Sequence, residues 1–241
     1  MDLWDEMRIV RIDKSGRHGA TDKMIKEDPF TLFINKAYVH TFACTPCNLE
    51  ELAIGFAYAE GLFHAKEDIE DLRIDTVTQE IFLTLKPPRR APRDNRGVEA
   101  FLSDEAIFDM WDNFNERSEL FYITGAAHAV ALIDGKEILI LREDVARHNA
   151  LAKVIGAMIC GEVGPEGKAL IFSGRLALEM FKMIERTGVK ILLSHGTTTS
   201  RAVRRAEEAG ITLAGFVKRD YMNVYTHAER ILHAGDPGEG A

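Results

Sequence analysis

The amino-acid order predicts an α/β protein, and three observations carry that prediction. From residue 129 to residue 217 apolar strands alternate with amphipathic helices, as in a largely parallel sheet covered on both faces. The first third instead groups strands around one helix and reads as a smaller α+β unit. Between the two, Pro87 to Arg96 reads PPRRAPRDNR, which is proline-rich, basic and without apolar anchors, and so marks a linker. The division that follows is residues 1–90 and residues 91–241.

Each element has its own signal. Arg8 to Ile12 alternates apolar and polar residues, the period of a strand. Thr31 to Phe42 reads as two short strands around Asn35-Lys36, a hairpin turn. A helix from Leu49 to Leu62 follows, with Leu49, Leu52, Ala53, Phe56 and Ala57 as its apolar stripe. Asn48 with Glu51 three places on resembles a capping box. Leu72 to Leu85 is another strand pair, and Leu102 to Phe114 is helical. Ala129 to Ile133 and Glu137 to Leu141 flank Asp134-Gly135, a strong hairpin signal. The next helix carries Leu151, Val154, Ile155, Met158 and Ile159 on one face. The strand Ala169–Phe172 precedes a helix using Ala177, Met180, Phe181 and Ile184. The strand Val189–Leu193 leads to the helix Ser200–Ala209, and Ile211–Val217 closes the run.

Composition narrows the function. A formal net charge of −8 lacks the electrostatic footprint of a general nucleic-acid binder. The N-terminus is interrupted by charges throughout and no apolar run approaches a membrane span, so neither secretion nor membrane insertion is expected. Three cysteines in 241 residues make no disulfide framework, which points to the cytoplasm. The tail HAGDPGEGA is expected to fray.

The polar clusters recur at strand ends. Glu143-Asp144 and Arg147-His148-Asn149 follow the strand ending at Leu141; Ser173-Gly174-Arg175 follows Phe172. Ser194 to Ser200 follows Leu193, and Lys218-Arg219-Asp220 follows Val217. In a parallel sheet all four lie at one edge, where open α/β sheets bind ligands. Three also open helices, whose free N–H groups attract anions, and Arg175 is expected at such a helix start. The arginines suit a bidentate grip on phosphate. Local roles compete with this reading: Asp144, Ser173 and Thr199 also serve as helix caps, and Gly174 also serves a tight turn. Thr124-Gly125-Ala126-Ala127-His128 is a small-residue run that permits close approach of a ligand to backbone.

Cys44-Thr45-Pro46-Cys47 is a C-x-x-C just before the Asn48 helix start, where a thiolate is favoured; redox or sulfur-transfer chemistry and simple packing both fit it. A zinc site needs more ligands, and no metal site is expected. Cys160 ends an apolar helix face and reads as a buried small hydrophobe. The phosphate loops G-x-x-x-x-G-K-[ST] and G-x-G-x-x-G, H-E-x-x-H, G-x-S-x-G and the zinc-deaminase signature are absent, which argues against nucleotide hydrolysis and deamination.

Ordered segments together resemble the formate dehydrogenase accessory sulfurtransferases, the FdhD family. They are Thr45-Pro46 with Leu49 to Phe56 and Glu60-Gly61; Thr124-Gly125 with His128; Glu143-Asp144-Val145 with Arg147-His148-Asn149-Ala150 and Lys153; Ser173-Gly174-Arg175; and Gly210 to Leu213 through Asn223 to Thr226. The resemblance implies a cytidine-deaminase-like C-terminal α/β domain without the zinc, and a homodimer. It implies a sulfur carrier that takes sulfur as a persulfide from a cysteine desulfurase. That sulfur passes to a molybdenum or tungsten bis-pterin guanine dinucleotide cofactor before its insertion into apo formate dehydrogenase, with guanine nucleotides as partial mimics. Phe216-Val217-Lys218-Arg219-Asp220-Tyr221 matches the family's cofactor-binding segment, which the Arg147 and Ser173 loops, Ser194 and Asn223 complete. The family's C-x-x-C between its domains is missing, since no cysteine stands between Cys47 and Cys160. Ala152 stands where the family has aspartate, and Thr197 replaces a proline-containing loop start. Sulfur chemistry then falls to Cys47, with Cys44 as its resolving thiol; the other reading is a cofactor-binding chaperone without sulfur transfer.

Overall fold

Two sheets of different build meet across a pair of helices in the computed structural model, which describes residues 2–87 and 100–233. The strands β1 (Trp4–Asp13) and β2 (Gly16–Ile25) pair only with each other, as an antiparallel hairpin. β3 (Asp28–Ile34) and β4 (Ala37–Cys44) turn at Asn35 and Lys36, both with positive φ (50° and 69°), as a two-residue hairpin turn of this hand requires. Helix α1 (Leu49–Ala59) follows, then β5 (Ile69–Asp75) and β6 (Glu80–Leu85). The order is β4-β3-β6-β5, with β3 and β6 parallel. Phe30, Leu32 and Ile34 alternate onto the buried face of β3.

The second half begins with the short strand β7 (Leu102–Ser103) and continues into helices α2 (Asp104–Arg117) and α3 (Glu119–Thr124). It then runs β8 (His128–Asp134), β9 (Glu137–Asp144), α4 (Arg147–Cys160), β10 (Lys168–Phe172), α5 (Leu178–Thr187), β11 (Ile191–Ser194), α6 (Ser200–Ala209), β12 (Thr212–Gly215), β13 (Asn223–Thr226) and β14 (Ile231–Leu232). The six-stranded sheet has the order β13-β12-β11-β10-β8-β9. β10, β11 and β12 are parallel, while β8 runs against β10 and β9 against β8. The sheet is therefore mixed rather than largely parallel, because the hairpin turns the chain back before the first crossover. β9 still points the same way as β10, β11 and β12.

Both faces are covered. Ile107, Met110, Trp111 and Phe114 of α2 pack on Ala129, Ala131, Ile133, Ile171 and Leu193. On the other face Val130, Leu132, Leu170 and Leu192 join α4, α5 and α6. That second cluster continues without a break through α1 to Phe30 and Leu32 of the small sheet. The two halves thus share one core.

The join between them is α1 against α4, at backbone contact. A Cβ on Gly55 would stand 1.8 Å from the Ala152 carbonyl oxygen, and one on Gly156 would stand 1.9 Å from that of Glu51. Only glycine permits this approach. Glu51 then reaches over to form a two-pronged ion pair with Arg142 of β9.

Several local expectations change. Asn48 adopts the left-handed conformation and makes no side-chain cap, and Glu51 is occupied by Arg142, so no capping box forms. Asp144 and Ser173 do not cap: α4 and α5 start from Ala146 and Ala177. Thr199 does cap α6, accepting from the Ala202 N–H. Arg175 lies three residues before α5 rather than at its start. Of the proline-rich stretch, 88–96 lie outside the described residues, as do 234–241 of the tail. Among the described residues no helix is long and apolar enough to cross a membrane.

Candidate functional site

A buried polar junction lies where the β4–α1 turn meets the β9–α4 turn. Lys153 and Asp144 have no exposed surface and form an ion pair of 2.7 Å. Asp144 also accepts from the backbone N–H groups of Thr45 and Ala146 and from the Asn149 amide. Asn149 donates further to the Ala43 carbonyl, and the Thr45 hydroxyl accepts from the Val145 N–H. The Lys153 ammonium faces the carbonyls of Thr45 (3.1 Å) and Glu143 (3.3 Å) and the Cys47 sulfur (3.5 Å). The buried carboxylate and ammonium of this junction are both fully engaged, the condition for burying charge.

The cysteines sit differently from the helix-end expectation. Cys44 is completely buried, and burial with the nearby Asp144 pushes its thiol up to about 12. Cys47 is half-buried; burial raises its thiol while Lys153 draws it down. Burial is the largest influence at both. Cys160 is half-buried rather than buried, and it too is raised, by burial and then by Glu50 and Glu51. Among the described residues no group of three or more His, Cys, Asp or Glu is arranged to hold a metal ion.

The edge loops come together as the strand directions require. The Arg147, Ser173, Ser194 and Lys218 segments leave the C-terminal ends of β9, β10, β11 and β12, and His128 opens the antiparallel β8 at the same edge. The loops are knitted to each other. Ser173 Oγ accepts from the Ala129 N–H, Ser194 Oγ donates to the Gly174 carbonyl, and the Phe216 and Val217 N–H groups donate to the carbonyls of Gly196 and Ser194. Gly174 lies close under the His128 ring, which would stand 3.0 Å from an added Cβ. A cavity of about 350 Å³ opens here, lined by Asn115, Ser118, Phe121, the 125–128 segment, Ser173 and His195.

The charges at this edge are partly spoken for. Arg147 pairs with Glu179, Arg219 pairs with Asp112 of α2, and Lys218 lies over the Tyr221 ring. Arg175 is exposed and, among the described residues, has no carboxylate partner. His128, His148 and His195 are all held below the ordinary imidazole range: burial is the main cause, reinforced by Arg147 for the first two and by Lys218 for His195. The lowering favours the neutral form of each ring.

Not every expected contact residue can touch a ligand through its side chain. Asp144, Ser194 and Val217 are fully buried and Asn149 nearly so. Their part is to fix the loops, and any contact from Ser194 or Val217 falls to backbone. Gly125 takes φ 67° as the C-cap of α3, and the Thr124 hydroxyl bonds to the Leu120 carbonyl, so these two end the helix that walls the cavity. Phe216 (φ 53°), Asp220, Tyr221 and Asn223 are exposed beside Lys218 and Arg219.

Four residues outside the expected site belong to it. Trp111 of α2 stacks on His195 at 4.9 Å and 7°, and Asn115 and Ser118 line the same cavity. The helical period assigns Trp111 to a buried face but says nothing of the loop above it. Lys153 belongs to the segment that carries the family resemblance, but its place in the site shows only in its burial against Asp144.

Comparison with known proteins follows the same outline. The model of the FdhD/NarQ family matches residues 25–102 and 89–232. The sulfur carrier protein FdhD of Shouchella clausii is 33% identical over 254 residues, covering 92% of this chain and 91% of that one. Its counterpart in Bacillus subtilis is 31% identical over 237 residues, covering 87% and 90%. In fold, the chain is similar to a crystal structure from Desulfotalea psychrophila provisionally described as a formate dehydrogenase accessory protein. The TM-score is 0.87 at 24% identity, covering 96% of this chain and 100% of that one.

Proposed function

Because this chain belongs to the FdhD/NarQ family, we propose that it is a formate dehydrogenase accessory protein that carries sulfur. In this reading the sulfur goes to a molybdenum or tungsten bis-pterin guanine dinucleotide before apo formate dehydrogenase receives it. A cysteine desulfurase is the donor, the working form is a homodimer in the cytoplasm, and residues 91–241 form a cytidine-deaminase-like unit beside a smaller 1–90 unit.

The observation that carries the reading is the layout of the sheet edge. Cys47 touches Lys153, Lys153 touches Asp144, and Asp144 holds the Ala146 N–H at the foot of the Arg147 loop. Cys47 thus stands at the β9 end. Lys218 and Arg219 stand at the β12 end, four strands away, which is roughly 19 Å at about 4.8 Å per strand. Arg175, Ser173 and His128 lie between. An elongated cargo with phosphates along its length and a reactive metal–pterin end fits such a track. The start of α4 offers N–H groups to anions, Arg175 offers a guanidinium with no carboxylate partner among the described residues, and the Trp111–His195 stack offers a flat surface beside the 350 Å³ cavity.

The chaperone reading, with the same cargo and no sulfur chemistry, is favoured by one observation: the thiol of Cys44 at about 12 is almost wholly protonated at neutral pH and has no exposed surface. Cys44 is accordingly unsuited to resolve a persulfide, and Cys47 is the carrier in the sulfur reading.

Guanosine diphosphate tests the cargo site. It is expected to bind, and more tightly than adenosine diphosphate, in calorimetry of the folded protein. Arg175→Ala should weaken that binding by about 1–3 kcal/mol, the worth of a charged hydrogen bond, and leave the melting temperature nearly unchanged because the side chain is exposed. Absence of heat with the wild-type protein removes the nucleotide site. A large drop in melting temperature with affinity intact makes Arg175 structural.

A further inference from the structure

Of the three thiols, only Cys47 has a cation in hydrogen-bond contact among the described residues. Lys153 Nζ lies 3.5 Å from its sulfur. Cys44 feels Asp144 more strongly than Lys153 and makes no such bond, and Cys160 feels Glu50 and Glu51 with Lys66 a weaker influence. Lys153 is also an expensive residue to keep. A lysine without exposed surface is rare, and a buried lysine–carboxylate pair seldom stabilises more than two apolar side chains of the same size. Its three N–H groups face four acceptors: Asp144, the carbonyls of Thr45 and Glu143, and the Cys47 sulfur. Three are fixed by the backbone or by the ion pair. The sulfur is the one whose charge can change.

We infer that Lys153 is a positioning residue for sulfur loading, its ammonium held by Asp144 so that it steadies the thiolate of Cys47. The inference rests on the sulfur-carrier reading. In the loading step the Cys47 thiolate attacks the terminal sulfur of a donor protein's persulfide. A sulfur–sulfur bond forms to Cys47, the donor's own sulfur–sulfur bond breaks, and the donor leaves as a thiolate. The proton lost by Cys47 is matched by the one the leaving thiolate takes up, so no external oxidant or reductant is needed. The other charges facing Cys47 are Glu143 and Asp144, which disfavour the thiolate, and Arg142, which Glu51 already holds in a two-pronged pair. Lys153, though paired with Asp144, is the cation in hydrogen-bond contact with the Cys47 sulfur, and so the one placed to answer the thiolate.

The test is the rate of iodoacetamide alkylation at each cysteine against pH, mapped by mass spectrometry. The paired variant Asp144→Asn/Lys153→Met removes both charges without stranding either. Its Cys47 profile is expected to move up by about one pH unit, a roughly tenfold slower reaction at pH 7.5, and sulfur loading from a desulfurase should fall in step. A folded paired variant with an unchanged profile overturns the inference, since a purely structural lysine would lower the melting temperature and leave the profile alone. The wild-type protein supplies a second check that needs no variant: Cys47 must alkylate at lower pH than Cys44 and Cys160, and the reverse order overturns the inference equally. If the Cys47 profile shifts as expected but wild type never takes up sulfur, Lys153 still governs the thiol and it is the sulfur-carrier reading that fails.

Discussion

Gly55→Ala is expected to cost at least about 3 kcal/mol of stability, at or beyond the top of the range for overpacking a core, seen as a melting temperature lower by roughly 6–12 °C. The new methyl carbon would stand 1.8 Å from the Ala152 carbonyl oxygen, 2.7 Å from its carbon and 2.7 Å from the Gly156 nitrogen. All three are backbone atoms in the middle of α4, so no side chain can rotate away. The helices must separate, and with them the contact that joins the small sheet to the large one. Gly19→Ala in the exposed hairpin is the matched control: nothing lies within 4 Å of its added carbon, and a change within about 0.5 kcal/mol is expected. Equal losses at both positions would show that the α1–α4 contact is looser than described.

Lys153→Met with Asp144 left in place is expected to cost about 3–5 kcal/mol, the penalty for stranding one partner of a buried ion pair, or roughly 6–20 °C in melting temperature. Asp144 would keep three N–H···O bonds, from Thr45, Ala146 and Asn149, but lose the charge that balances it. Replacing both partners by Asn and Met should recover most of that loss, because the stranded charge is gone. Thermal melts of the single and paired variants decide this. A single variant as stable as wild type would mean that water reaches the junction.

Much of this architecture is legible in the order of residues. The Asn35-Lys36 turn, the hairpin between β8 and β9 (which turns at Gly135-Lys136, one residue beyond the expected Asp134-Gly135), the Ser200–Ala209 helix and the strands behind the four polar loops all follow from local chemistry, and so does their meeting at one sheet edge. What local chemistry misreads is what another part of the chain has already taken. Asn48 and Glu51 have capping-box spacing, but Arg142, 91 residues away, claims Glu51. Asp144 looks like a cap, yet a lysine two turns along α4 turns inward to meet it. The rule that a helix end favours thiolate holds for exposed cysteines, and it fails at Cys44 because β4 carries that residue into the core. Trp111, Asn115 and Ser118 belong to the site only through the packing of α2 on the sheet, which no spacing within α2 reveals.

The central claim is that Cys47 carries sulfur at one end of a cargo track. Incubating the protein with a cysteine desulfurase and free cysteine, then weighing it by mass spectrometry, tests this directly. The account predicts a gain of one sulfur that maps to Cys47, is abolished by Cys47→Ser and survives Cys160→Ser. Sulfur that never appears on the wild-type protein, in a preparation that still binds guanosine diphosphate and still supports formate dehydrogenase maturation, would contradict it and leave the chain a cofactor chaperone.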